Sequence, residues 1–118
     1  MGVDLRLLPF DGDIGNFAFS HTVLGCERRR NLWDKIEALP SLPVPDGFTS
    51  FTGDAPDGEL GYGETLTTPY GERVQYTIIS ELLKLTLDPG VTDNYKNRAI
   101  WAYFAQLPSN TKVALYWH

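Results

Sequence analysis

The chain has 118 residues, 42% hydrophobic and 21% charged, with a net charge of −5, the size and balance of a single acidic folded domain. The negative charge argues against general nucleic-acid binding, because phosphate affinity rests on an excess of Lys and Arg. Cys26 is the sole cysteine, so no intrachain disulfide is possible, and no stretch approaches the roughly 18 apolar residues of a membrane span.

The opening residues carry Asp4 and Arg6 inside an apolar run, which is not a secretory pattern, and a cytoplasmic location is expected. Val3, Leu5 and Leu7 alternate with those charges, giving a half-buried strand expected to end at Pro9. Residues 11–15 have turn chemistry. Phe17, Phe19, His21 and Val23 then alternate with Ala18, Ser20 and Thr22, and the two runs read as a hairpin. Asn31 opens a short helix through a weak capping box, with Leu32, Ile36 and Leu39 on one face, until Pro40 stops it.

Residues 36–72 contain seven carboxylates and no basic residue, so this interval carries −7 while the remainder sums to +2. It is rich in Gly and Pro, yet it also holds Phe48, Phe51, Tyr62 and Tyr70, which a disordered acidic tract would lack. An ordered, acidic, irregular loop over about residues 40–72 is expected, and loops of that length are uncommon unless they do something. Within it, residues 62–68 and 72–76 can form a second hairpin about Pro69-Tyr70-Gly71.

Thr77 is placed to cap a second helix, with Ile78, Ile79, Leu82, Leu83 and Leu85 on its apolar face and Leu87 outside; Asp88-Pro89-Gly90 ends it. A third helix begins near Asp93 or Asn94 and repeats Ile100, Trp101, Phe104 and Leu107 at helical spacing. Residues 112–117 form a last strand with both faces apolar, which fits a central position beside the first hairpin. The expected fold is α+β: a mainly antiparallel sheet, built from the N-terminal hairpin and the C-terminal strand, with about three helices on one face.

No catalytic, cofactor or metal motif emerges. His21, His118 and Cys26 lack ligand spacing, and His21 with Cys26 does not form a nucleophile pair by position. Asp11-Gly12-Asp13 fails the calcium-loop pattern, and Gly61-Tyr62-Gly63 lacks both the third glycine of a dinucleotide loop and the Walker lysine. Arg28, Arg29 and Arg30 form the one basic run, suited to pairing with the acidic interval or to gripping an acidic group.

The layout resembles small phage and prophage proteins of uncharacterised function that open with Met-Gly-Cys-Asp-Ile-His, continue with an Arg-x-Tyr-x-Leu-Phe type segment before a Pro-rich stretch, and finish with an aromatic strand. Here the opening is Met1-Gly2-Val3-Asp4-Leu5-Arg6, the middle Arg29-Arg30-Asn31-Leu32-Trp33 ahead of Pro43-Val44-Pro45, and the end Leu115-Tyr116-Trp117-His118. Val3 and Arg6 stand where that family has Cys and His, so no metal or thiol role carries over to the opening. The resemblance implies a phage or prophage origin and action by binding a component of the bacterial host.

The function expected is therefore a non-enzymatic module that binds a basic protein, such as a host nucleic-acid-binding protein, with no direct contact to nucleic acid or membrane and no cofactor. The candidate contacts are Phe48, Phe51, Asp54, Asp57, Glu59, Tyr62, Glu64 and Tyr70, with Arg28 and Arg30 secondary. Two alternatives are a small-molecule binder or enzyme with a pocket under the 40–72 loop, lined by Tyr62, Tyr70, Arg28, Arg30 and His21, and a virion structural or assembly protein.

Overall fold

Period-two alternation at the two ends of the chain builds the centre of a sheet. The computed structural model describes residues 4–11, 17–18, 24–27, 29–51 and 62–118. Among these, the strands are β1 (Leu5–Asp11), β2 (Phe17–Ala18), β3 (Leu24–Cys26), β4 (Leu42–Pro43), β5 (Thr49–Phe51), β6 (Tyr62–Glu64), β7 (Gln75–Ile78) and β8 (Lys112–Trp117). They form one sheet ordered β4-β7-β8-β1-β2-β5-β6, with β3 also on β1. All pairings are antiparallel except β2 with β5, which meet in parallel at Phe17 and Thr49. The described helices are α1 (Arg30–Glu37), α2 (Ile79–Leu83), α3 (Pro89–Thr92) and α4 (Tyr95–Phe104). The fold is α+β, as the sequence indicates, with one short helix beyond the three expected.

β8 lies between β1 and β7, the central place that its two apolar faces demand. Val113 and Leu115 join Leu5 and Leu7 in a core closed by Leu32, Ile36, Ile79, Leu82 and Phe104 of the helices. Ala114 and Tyr116 join Leu8 and Phe10 on the opposite face, where Val44, Phe48 and Val74 cover them. The helices thus share one face, and the segment expected to be a long loop packs on the other.

β1 does not stop at Pro9 but runs on to Asp11. The ladder explains why. Asp4 and His118 exchange both backbone hydrogen bonds, so alternate residues of β1, counted from Asp4, point their N–H groups at β8. Pro9 faces the other way, between the pairing of Leu7 with Leu24 and that of Phe10 with Ala18. The missing donor therefore costs the β1–β8 ladder no bond. Phe19, His21 and Val23 of the expected return strand lie outside the described residues.

Local capping differs from the expected pattern. α1 begins at Arg30 with Arg29 as its cap and no side-chain bond, so Asn31 is inside the helix and caps nothing; Leu32, Trp33 and Ile36 are buried as the spacing requires. Thr77 and Ile78 belong to β7, not to a helix. The Thr77 hydroxyl donates to the Pro40 carbonyl (2.9 Å). α2 starts at Ile79, and its first free N–H groups, of Ile79 and Ser80, donate to the carbonyls of Thr111 and Ser109 (3.0 and 2.9 Å). Asp88-Pro89-Gly90 starts α3: Asp88 accepts from the Gly90 N–H (2.8 Å) and Pro89 takes the first helical position. Asn94 caps α4 through Lys96 and Asn97, at the expected place.

Within 40–72 the structure has strands where a loop is expected: β4 pairs with β7, and β5 pairs with β6. The second hairpin is present as a bridge between Thr67 and Arg73, closed by Thr68 N–H to the Glu72 carbonyl (2.7 Å) and Gly71 N–H to the Thr68 carbonyl (2.9 Å). Gly71 holds φ +82°, which an L side chain resists.

Candidate functional site

Both ends of the acidic interval border one cleft. Glu37 is the last residue of α1, and Glu72 follows the hairpin turn; both line one open cleft of about 600 Å³ together with Ser41, Thr68, Tyr70, Arg73, Gln75, Leu115 and Trp117. The elements fix this placement. Val74 and Tyr76 turn to the face away from the helices, so strand alternation sends Arg73 and Gln75 to the helix face, beside Leu115. α1 ends before it covers this part of the sheet. Leu115 is buried at the base, and Trp117 is half-buried, its ring edge-on to Trp33 at 5.9 Å.

The rim is polar and carries two carboxylates and one arginine. Glu37 and Glu72 are exposed, and Tyr70 is 55% exposed. The turn that carries Tyr70 is held by its own bonds, including Tyr70 N–H to the Thr68 hydroxyl (3.3 Å). Arg73 contributes to the lining, but its guanidinium donates to the Val44 carbonyl (2.6 Å) and to Asp46 (3.1 Å). That pairing ties the start of the covering segment to its end and occupies the cation.

The sequence-based candidates fare unequally. Tyr70 is in the cleft. Glu64 is exposed on β6, opposite Thr49. Phe48 is not a surface contact: it is fully buried, 4.8 Å from Phe10 ring to ring, because the segment uses it to hold the sheet. Phe51 and Tyr62 face each other as backbone partners of β5 and β6. Asp54, Asp57 and Glu59 lie outside the described residues, as do Arg28 and His21. Arg30 opens α1. Sequence reasoning passes over Glu37, Glu72, Arg73 and Trp117 as site residues. The available signal was position: Glu37 and Glu72 are the outermost carboxylates of the interval without basic residues.

Two smaller cavities are structural by their chemistry. One, of about 280 Å³, is lined by Asp4, Arg6, Cys26, Glu27 and His118 among others. Burial, and then the Glu27 charge, push the Cys26 thiol up to about 12, so it stays protonated near neutral pH. Its S–H is directed at Asn97 Oδ1 (3.3 Å). Asn97 is fully buried and satisfied: Oδ1 also accepts from Glu27 N–H (2.7 Å), and Nδ2 donates to the carbonyls of Glu27 (3.1 Å) and Gly90 (2.9 Å). The other cavity, of about 330 Å³, lies between α1 and α3 and contains the Lys35–Asp88 ion pair. Among the described residues no three His, Cys, Asp or Glu side chains converge as a metal site, and no helix is long and apolar enough to cross a membrane.

No family model, curated protein or solved structure matches the chain.

Proposed function

We propose that this chain is a non-enzymatic binding module of the phage-protein type its layout resembles, and that it contacts a basic host protein through the acidic face around the Glu37–Glu72 cleft. One observation carries the reading: two exposed carboxylates and an exposed tyrosine share a concave site, while Arg73, the cation among the described lining residues, is committed to Asp46 and the Val44 carbonyl. Exposed rings beside charges are common anchors of protein contacts. Charge attraction at such a rim is screened by salt, which gives the test.

The tagged protein is used to capture partners from bacterial lysate at about 0.05 M and about 0.5 M salt. A basic protein retained at low salt, reduced at high salt and reduced again by Glu37→Gln with Glu72→Gln supports the reading. Capture of no specific partner at either salt overturns it. The cleft volume also lies within the usual range for small-molecule pockets, which favours a metabolite as the second reading. A thermal-shift screen separates the two, since a ligand of the folded state raises the melting temperature.

A further inference from the structure

We propose that the cleft receives a single arginine side chain of the partner; this rests on the binding-module reading and names the chemistry of its central contact. The cleft is layered in a way that matches that side chain. Its base is apolar, with buried Leu115 and the half-buried Trp117 ring, and suits the methylene stem. Its rim carries Glu37 and Glu72, neither of which has an ion-pair partner among the described side chains. The exposed Tyr70 ring offers a face on which a planar guanidinium stacks. The Gln75 side-chain carbonyl lies in the same lining and can accept a remaining N–H.

A further field has the same sign. α1 ends at Glu37, so the negative end of its dipole lies at the cleft. Lys35, the basic residue of its last turn, is held by Asp88 instead of neutralising that end. A cation is therefore favoured over an anion, and a fork of N–H donors over a point charge, because the lining offers two carboxylates, an amide oxygen and a ring as separate acceptors.

The test uses an acetylated, amidated pentapeptide, Gly-Ser-Arg-Ser-Gly, and the same peptide with citrulline, a neutral isostere, in place of arginine. Binding is followed by ¹⁵N-resolved NMR of the full chain, which also reports that each variant is folded. The arginine peptide is expected to shift the Trp117 indole N–H and the Gln75 signals saturably, and the citrulline peptide to leave them in place. Glu37→Gln with Glu72→Gln is expected to weaken binding at least about fivefold, while Asp93→Asn, an exposed carboxylate outside the cleft lining, leaves it unchanged. Equal binding of citrulline, equal loss from Asp93→Asn, or absence of a saturable shift overturns the assignment. If salt-sensitive capture of a basic partner persists in that event, the arginine pocket falls and the binding-module reading stands; if capture fails too, both fall.

Discussion

The two faces of the sheet are buried by different means. On one, four helices supply Leu32, Ile36, Ile79, Leu82, Val91, Trp101 and Phe104, and buried polar groups are tied by side chains. Asn97 makes four such bonds, and the Trp101 indole donates to the Leu82 carbonyl at 2.7 Å. On the other, short stretches of the acidic segment supply Val44, Phe48 and Leu66, joined by Val74 just beyond it. There the backbone ties itself: Val44 N–H to the Val74 carbonyl, Thr65 N–H to the Phe48 carbonyl and Val74 N–H to the Leu66 carbonyl, each at 2.9 Å. An irregular chain can serve as a structural layer once its inward N–H groups find carbonyls. The described carboxylates of the segment, Asp46, Glu64 and Glu72, are then left exposed while its apolar residues cover the sheet.

The comparison is broken most directly in the cores. Phe104→Ala, in α4 against the sheet, is expected to cost about 4 kcal/mol, because a fully buried ring leaves a cavity among rigid elements. Urea unfolding followed by fluorescence and circular dichroism should give coincident, shifted transitions. Phe48→Ala is expected to cost less, about 3 kcal/mol, since an irregular cover relaxes into the space more readily than helices do. Amide exchange should then rise over residues 44–51 and 62–74 before it rises in α4. Equal early loss of protection in both would show that the layers are not separable.

Asn97→Ala sharpens the contrast on the helix face. It leaves the part-buried Glu27 N–H and the buried Gly90 carbonyl without their partner, at an expected cost of about 2 kcal/mol, read as a lower urea midpoint. The contact it holds is close. A Cβ at Gly90 would sit 2.8 Å from Leu32 Cβ, and neither atom can swing away, so α3 packs on α1 only because residue 90 has no side chain.

The helix face was legible because its signals are periodic. Leu32 and Ile36, Ile79 and Leu82, and Ile100 and Phe104 mark faces that are buried as spacing predicts, and β8 announces its central place by being apolar on both sides. Boundaries failed where tertiary bonds replaced local ones. Thr77 looks like a cap, but its hydroxyl bonds the Pro40 carbonyl instead; Pro9 looks like a stop, but its nitrogen faces away from β8, so pairing with β8 runs through it. The cover of the second face carries no such period. Val44 and Phe48 are single apolar residues among Gly, Pro and charges, so the composition points to an ordered segment without showing which rings point in. Phe48 was expected outside for that reason. The cleft was illegible because Glu37, Tyr70 and Trp117 come together only through the pairing of β7 with β8 and the end of α1.

The smallest expected effect concerns where acid acts. Asp88 is buried beside Lys35, and burial by itself favours the neutral acid; the Lys35 hydrogen bond, the Gly90 N–H and the Lys35 charge together outweigh it and hold the carboxyl below its ordinary value of 3.8. A carboxyl with a depressed folded value adds stability that is fully present above the ordinary value and is lost as pH falls through the folded one. Asp88→Asn keeps an oxygen for the Gly90 N–H and removes only the charge. Because Lys35 is half-exposed, the difference between the two proteins should be no more than about 1 kcal/mol near neutral pH. It should stay constant down to about pH 5 and close as the pH drops below 3.8, as read from urea midpoints at each pH. Amide exchange should place the loss in α1 and α3 and spare residues 44–74, since Asp88 and Lys35 bridge helices on one face alone. A difference that persists unchanged to about pH 2 would remove the ion pair from the account of that face and leave its stability to packing and Asn97.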